Sequence, residues 1–475
     1  MTRKLFILGI LLSIIIFLFR FSYIGFGVWG DGLGYYVYTR SLYFDHDIDF
    51  HNEYNHYKEA RWFWLPTETK TGLIHNHWSV GPGVLWLPFM ALGDGLAKLL
   101  VATGLPIQTD GYSPPYEIIV GIGNILYGYA GIYLLYKWLR NYFSQNISFI
   151  STLSIYLSTN LIFYISFEPN LSHGVSFFIV SLFLYLWQKI VRISPRPGLR
   201  EILTYAALGL IGGLAAIIRH YDAILILVPA IPLFLEFIKG QKQNIKYLFI
   251  FLLFWFIGIS PQLLSQQIIY GHFWYQPYLL EGKREALSLN NPHIWNTLFS
   301  LRRGLFFWSP ILLLSLIGWS TCLKTPRGWQ PLRHLRGGPL PAGRQGRGLL
   351  GWWSKQKKDR EYQKLLLIFL LVFITQWQVI GHWNAALSAG YGARMYISSF
   401  PLFAFGLALF YQKLKSIKFI SMILIIFTLW NFLLLTQFFV DKRLLEGQLS
   451  LGAIITGQVT SLYLLPSKIQ ETISR

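Results

Sequence analysis

Long apolar runs alternate with short polar breaks along nearly the whole chain. Eleven runs approach the roughly 20 residues that a bilayer-crossing helix needs. They are 5–26, 116–138, 147–166, 171–191, 201–218, 222–239, 246–269, 304–323, 363–380, 394–412 and 418–438. A further run, 81–104 ("GPGVLWLPFMALGDGLAKLLVATG"), has similar length. Loop charge decides its placement, because basic residues favour cytoplasmic loops. If 81–104 does not span, five later basic loops share the side of Arg3 and Lys4. They carry Lys137/Arg140, Lys189/Arg192/Arg196/Arg200, Lys239/Lys242/Lys246, the 324–362 segment and Lys413/Lys415/Lys418. If it spans, all five move outside. Asp94 and Lys98 also argue against a span. The run is therefore expected to be an interfacial helix on the outer leaflet.

The pattern predicts an all-α integral membrane protein with about eleven transmembrane helices, twelve if 81–104 spans. Residues 1–440 form one polytopic domain, and 441–475 form an external tail. The first external loop, 27–115, holds nine Asp/Glu and five Lys/Arg. It is long and aromatic, which points to a folded, functional loop. The stretch 326–360, within the 324–362 loop, is rich in Gly, Pro and Arg. It is expected to be a mostly disordered cytoplasmic loop.

Composition agrees with this picture. The chain is 53% hydrophobic and only 13% charged, with mean hydropathy +0.43. A soluble domain carries about twice that charged fraction. The net charge of +20 suggests a nucleic-acid partner at first sight. The basic residues sit in short loops between apolar runs, however, so they orient the chain and no nucleic acid is expected. The single Cys322 leaves no internal disulfide and no cysteine cage for a metal. The first apolar run exceeds the roughly 7–15 residues of a signal-peptide core, and no clean cleavage site follows it. It reads as a retained signal anchor. No phosphate-binding Gly-rich loop of the Walker A type occurs, so nothing suggests ATP as the energy source.

The predicted topology puts five polar constellations on the non-cytoplasmic side. Asp31 follows the first span in "VWGDGLGYY". "SFEPNLSHG" (166–174) carries Glu168 and His173. "RHYD" (219–222) carries Arg219, His220 and Asp222. "FSLRRGLFFWSP" (299–310) carries Arg302 and Arg303. "GHWNAALSAGYGAR" (381–394) carries His382 and Arg394. Ionisable groups at a membrane boundary are costly and usually line a cavity. Each also has a plain reading. Asp31 reads as a helix N-cap, Arg219 and Asp222 as a local ion pair, and Glu168 and His173 as turn caps. The arginines at 302, 303 and 394 read as snorkelling anchors, and His382 as part of an aromatic belt. His46, His51, His56, His75 and His77 fit no standard metal spacing.

The combination suits a reaction on a phosphate-linked lipid. A carboxylate would take a proton from an acceptor hydroxyl, and guanidiniums would hold the phosphate and stabilise it as a leaving group. Inverted repeats and mid-membrane charges, which mark many transporters, are not seen in the sequence. A glycan polymerase or ligase, whose large loop usually falls late in the chain, is the other alternative.

The segments "WGDGLGYYVYTRSLYFDHDIDFHNEY", "TGLIHNHWSVGPGVLWLPF", "FEPNLSHGVSFF", "LRRGLFFWSPILLL" and "GYGARMYISSFPLFAFGLA" resemble the GT-C superfamily of membrane glycosyltransferases. They are similar to its bacterial polyprenyl-phosphate-sugar-dependent members, relatives of protein O-mannosyltransferases and of the lipid A aminoarabinose transferase. The likeness covers nearly the whole chain except 326–360. It implies an inverting transfer from an undecaprenyl-phosphate sugar to a lipid, glycan or protein acceptor, in the inner membrane with the active site on its outer face. It implies that Asp31 is the catalytic base. The resemblance also implies interfacial helices in the first external loop. Family members often have Asp-Glu after the first helix. Here Asp31 is followed by Gly32, leaving Asp47, Asp49 or Glu53 as candidates for the second acid. The family's Lys-Pro-Pro stretch appears here as Val80-Gly81-Pro82, which makes Arg394 and Arg303 the phosphate candidates. Some members need a divalent metal and others do not.

Overall fold

A computed structural model of the chain describes residues 3–473, apart from 58–66, 193–197, 280–286, 288, 291, 325–346, 415, 442 and 447–448. The described residues are helical, with no strand beyond the isolated bridges Glu68–Ile74 and Leu287–Trp383. In the first half of the chain α1 is Arg3–Ile24, α2 Asp31–Arg40, α3 His51–Tyr57, α4 Val80–Ala102 and α5 Pro114–Leu139. Then come α6 Gln145–Leu157, α7 Leu161–Ser166, α8 Ser172–Arg192, α9 Leu199–Ile218 and α10 Leu227–Ile238. In the second half α11 is Gln243–Tyr270, α12 Ile294–Phe299, α13 Leu305–Trp308, α14 Ile311–Lys324 and α15 Arg347–Gly381. The last four are α16 Phe400–Lys413, α17 Ile417–Val440, α18 Arg443–Glu446 and α19 Leu451–Ile473.

Ten helices among the described residues are long and apolar enough to cross a membrane, and Ile311–Thr321 is a shorter apolar one. The protein is thus an all-helical, multi-pass membrane protein of about eleven spans. Small residues let neighbouring helices approach closely. Along α9, a Cβ added at Gly209 or Gly213 would run into the backbone of α11 at Phe251 or Trp255.

Three expected elements differ in detail. The run 147–166 is broken into α6 and α7 at Ser158, Thr159 and Asn160. A break at membrane depth must satisfy its freed backbone groups internally. Asn431 of α17 does this, donating from Nδ2 to the carbonyls of Leu157 and Thr159, both at 2.8 Å. The run 304–323 begins as short α13 and restarts after Pro310 as α14. The run 81–104 forms the single helix α4, which by length and composition is also one of the ten. The charge within it is satisfied, because Asp94 accepts from Tyr43 Oη (3.1 Å), Tyr116 Oη (3.0 Å) and Lys98 Nζ (2.7 Å).

Of the 324–362 loop, residues 325–346 lie outside the described residues. From Arg347 the chain is one helix running to Gly381. The C-terminal tail contains α19, which packs on α17. It buries Ile454 and Ser461 and leaves Val459 and Tyr463 exposed.

Candidate functional site

The turn that carries Asp31 is clamped from below. Gly25 (φ 84°) and Gly30 (φ 52°) adopt left-handed backbone, which glycine tolerates without a Cβ penalty. The buried Glu117, in the first turn of α5, accepts from the amides of Gly27 (2.6 Å) and Val28 (3.2 Å). Asn170 Nδ2 donates to the Gly27 carbonyl (3.1 Å), and Asn124 donates to Asn170 Oδ1 (3.2 Å). Asp31 is the first residue of α2, and Gly30 is the N-cap, so Asp31 does not cap the helix with its side chain. A carboxylate in the first turn is favoured by the helix dipole.

One Asp31 oxygen, Oδ2, meets Arg394 Nη1 at 2.9 Å. The residues are 363 positions apart, and the loop before residue 394 closes the distance. The Asp31 side chain is 33% exposed and Arg394 only 12%, so the carboxylate is the accessible partner. Burial pushes the Asp31 carboxyl up. Arg394, Arg219, His77 and a hydrogen bond from the Trp78 side chain outweigh this and hold it below the usual carboxylate range. His77 stacks on the Trp78 ring, centroids 3.5 Å apart.

Arg219, 9% exposed, hydrogen-bonds the His173 imidazole (2.8 Å to Nε2) and reaches Met395 Sδ at 3.6 Å. The His173 ring lies against Tyr164, centroids 4.3 Å apart. Tyr164 Oη accepts from the Tyr391 amide (2.9 Å) and donates to its carbonyl (3.0 Å), which anchors the loop leading to Arg394. Tyr35, one helical turn after Asp31, accepts from Ser172 at 3.1 Å. Burial raises its phenol pKa, partly offset by Arg219. Glu168 pairs with Arg20 at 3.4 Å. Burial raises its carboxyl, against the pull of Arg20 and Arg394, and Asp31 raises it further. Glu168 is therefore the second acid in the electrostatic neighbourhood of Asp31.

The other predicted residues separate from this centre. Arg303 donates to the carbonyls of Gly390 (3.0 Å) and Leu387 (2.9 Å), so it fastens the Arg394 loop. Burial, with Arg302 and Arg394 nearby, lowers its pKa to about 10. Arg302 is half-buried beside it. Asp222 is buried in a knot with Ser176 Oγ (2.7 Å) and Gln376 Nε2 (3.0 Å), joining α8 to α15. His220 is exposed. His382 Nδ1 lies 2.7 Å from the Gln378 carbonyl in the last turn of α15.

The three carboxylates offered as second acids are engaged elsewhere. Asp47 accepts from Ser41 Oγ (2.6 Å), and Asp49 lies 2.5 Å from His51 Nδ1. Glu53, fully buried, pairs with Arg40 at 3.0 Å. Burial pushes its carboxyl up to about 8 despite Arg40.

The pattern of spans missed Glu117, Asn124, Asn170, Tyr35, Tyr164 and Asn431. Asn124 and Asn431 did leave a signal, since each is an amide inside an apolar run. Among the described residues no group of three or more His, Cys, Asp or Glu could hold a metal ion, and guanidiniums face both local carboxylates. Fold and site define a polytopic membrane protein with an accessible acid among buried arginines. Compared with known proteins, the chain matches no family model, no curated protein and no solved structure.

Proposed function

We propose that the protein is an inverting membrane glycosyltransferase. It moves a sugar from a polyprenyl-phosphate donor to a lipid, glycan or protein hydroxyl at the non-cytoplasmic face. The observation that carries this reading is the accessible Asp31 carboxylate set 2.9 Å from the largely enclosed Arg394 and within the field of Arg219. Three guanidiniums (Arg20, Arg219 and Arg394) act on two carboxylates (Asp31 and Glu168). Such an excess of buried positive charge suits an anionic ligand.

Asp31 accepts the proton of the acceptor hydroxyl. That oxygen attacks the anomeric carbon from the face opposite the phosphate. The carbon–oxygen bond to phosphate breaks, and the bond electrons leave on the lipid phosphate. Arg394 and Arg219 stabilise the charge that develops there. Arg219 replaces Arg303 in this role, because Arg303 already donates to backbone carbonyls. Apolar grooves between the spans would hold the polyprenyl tail.

The test is release of polyprenyl phosphate from a mixed pool of polyprenyl-phosphate sugars, comparing wild type with Asp31→Asn. Release by wild type and its loss in a folded variant support the assignment. Equal release by both refutes Asp31 as the base. No release by either, with a broad range of acceptors supplied, favours a polymerase, ligase or transporter.

A further inference from the structure

We propose that Arg394 is an exchangeable latch on Asp31: the anionic group of the ligand displaces the carboxylate from the guanidinium, and the freed carboxylate becomes the base. This regulation rests on the glycosyltransferase reading of the same site.

Three observations carry it. First, the pair is asymmetric: Arg394 is nearly enclosed, whereas Asp31 is open enough to be reached and released. Second, the guanidinium is under-used. Nη1 meets Asp31 and Nη2 donates to Ser388 at 3.2 Å, but the buried Nε has no hydrogen-bond partner. The buried Nε of neighbouring Arg219 is likewise unpartnered. Buried donors are normally satisfied, and a tetrahedral anion offers the acceptors that a single Asp31 oxygen does not. Third, the loop before Arg394 has a pinned point between two unusual glycines. Gly390 (φ 132°) and Gly392 (φ 64°) flank Tyr391, which Tyr164 and Asn431 hold. The anchor is fixed on one side of Arg394, while its side chain has a neighbour it can exchange.

The physical consequence is a coupling between ligand arrival and base strength. While Arg394 faces Asp31, the carboxylate is stabilised as an anion and is a weak base. Once the guanidinium turns to a phosphate, that stabilisation falls and proton affinity rises, because burial alone raises a carboxyl. The acid then gains basicity only when a donor is present.

Competition for one guanidinium makes a prediction that simple proximity does not. Binding of polyprenyl phosphate to purified full-length protein would be measured for wild type, Asp31→Asn, Arg394→Gln and the double variant. Removing the competitor tightens binding in Asp31→Asn by roughly two- to fivefold, the scale of one partly exposed ion pair. In the Arg394→Gln background the same change has little effect, since no latch remains to release. Unchanged or weaker binding in Asp31→Asn overturns the proposal. So does an equal tightening in both backgrounds, which signals through-space repulsion between Asp31 and the anion. If Arg394→Gln does not fold, Arg394→Lys takes its place; it keeps the charge and loses the fork, and the effect of Asp31→Asn should shrink there. Turnover separates the two claims. Lost turnover with unchanged binding in Asp31→Asn keeps the base and removes the latch. Tighter binding with full turnover keeps the latch and removes the base. No binding of polyprenyl phosphate by any form removes both.

Discussion

Gly32, immediately after Asp31, is a small residue with a large expected effect. A Cβ built there would overlap the backbone carbonyl oxygen of Asn170, well inside the 3.0 Å that real Cβ contacts keep. Asn170 cannot give way easily, because its side chain holds Gly27 and receives Asn124. In Gly32→Ala the start of α2 must therefore retreat by on the order of 1 Å, with an overpacking cost of about 1–3 kcal/mol. The same shift stretches the 2.9 Å Asp31–Arg394 ion pair, which forfeits part of the ~0.2–1 kcal/mol that a partly exposed ion pair contributes. A displacement of this size at a reacting group commonly lowers rate by ~100-fold. Thermal unfolding in detergent and release of polyprenyl phosphate measure the two effects. Gly95→Ala in α4 is the control: nothing lies within 4 Å of its Cβ, and alanine favours a helix by up to ~1 kcal/mol. If Gly32→Ala and Gly95→Ala have the same unfolding midpoint and the same turnover as wild type, the steric reasoning is wrong.

Asn431→Ala leaves the carbonyls of Leu157 and Thr159 without their side-chain donor in a buried break. A loss of about 1–3 kcal/mol per group follows, visible as a lower unfolding midpoint; an unchanged midpoint would count against this role. The acid limb of kcat/KM should report Asp31, whose folded carboxyl lies below its ordinary ~3.9. Activity is retained as pH falls to that level and is lost below it. In Arg394→Gln burial dominates and the limb moves to higher pH, whatever the height of the plateau; a limb that stays in place would show that Arg394 does not set it. Glu53 behaves in the opposite sense. Its carboxyl is near 8 when folded and ordinarily near 4.3. Its contribution to stability is full below that ordinary value and is lost as pH rises towards 8. Glu53→Gln should flatten the fall in unfolding midpoint between pH 5 and 8, and an identical slope would contradict the assignment.

The helical, membrane-spanning nature of the chain was legible from its apolar runs, because bilayer thickness and backbone hydrogen bonding admit little else for stretches of that length. Asp31, Arg394, Glu168, His173 and Arg219 were legible as singular residues, since an ionisable side chain beside an apolar run is expensive without a role. Their pairing was not legible. Asp31 meets Arg394, Arg219 meets His173, and Glu168 meets Arg20, and none of these pairs follows from spacing along one helix. Nor could spacing show that Arg303 is occupied by the carbonyls of Leu387 and Gly390, or that Asp47, Asp49 and Glu53 have local partners. The break at Ser158–Asn160 was hidden for a related reason. Its polar groups are tolerable only because Asn431, some 270 residues later, packs against them. Sequence alone determined which segments leave water and which charges stand at their ends. Only tertiary structure decided which charges face one another, because ion pairs and hydrogen bonds act over a few ångströms while the residues that form them lie well apart in sequence, 46 for Arg219–His173 and 148 for Arg20–Glu168.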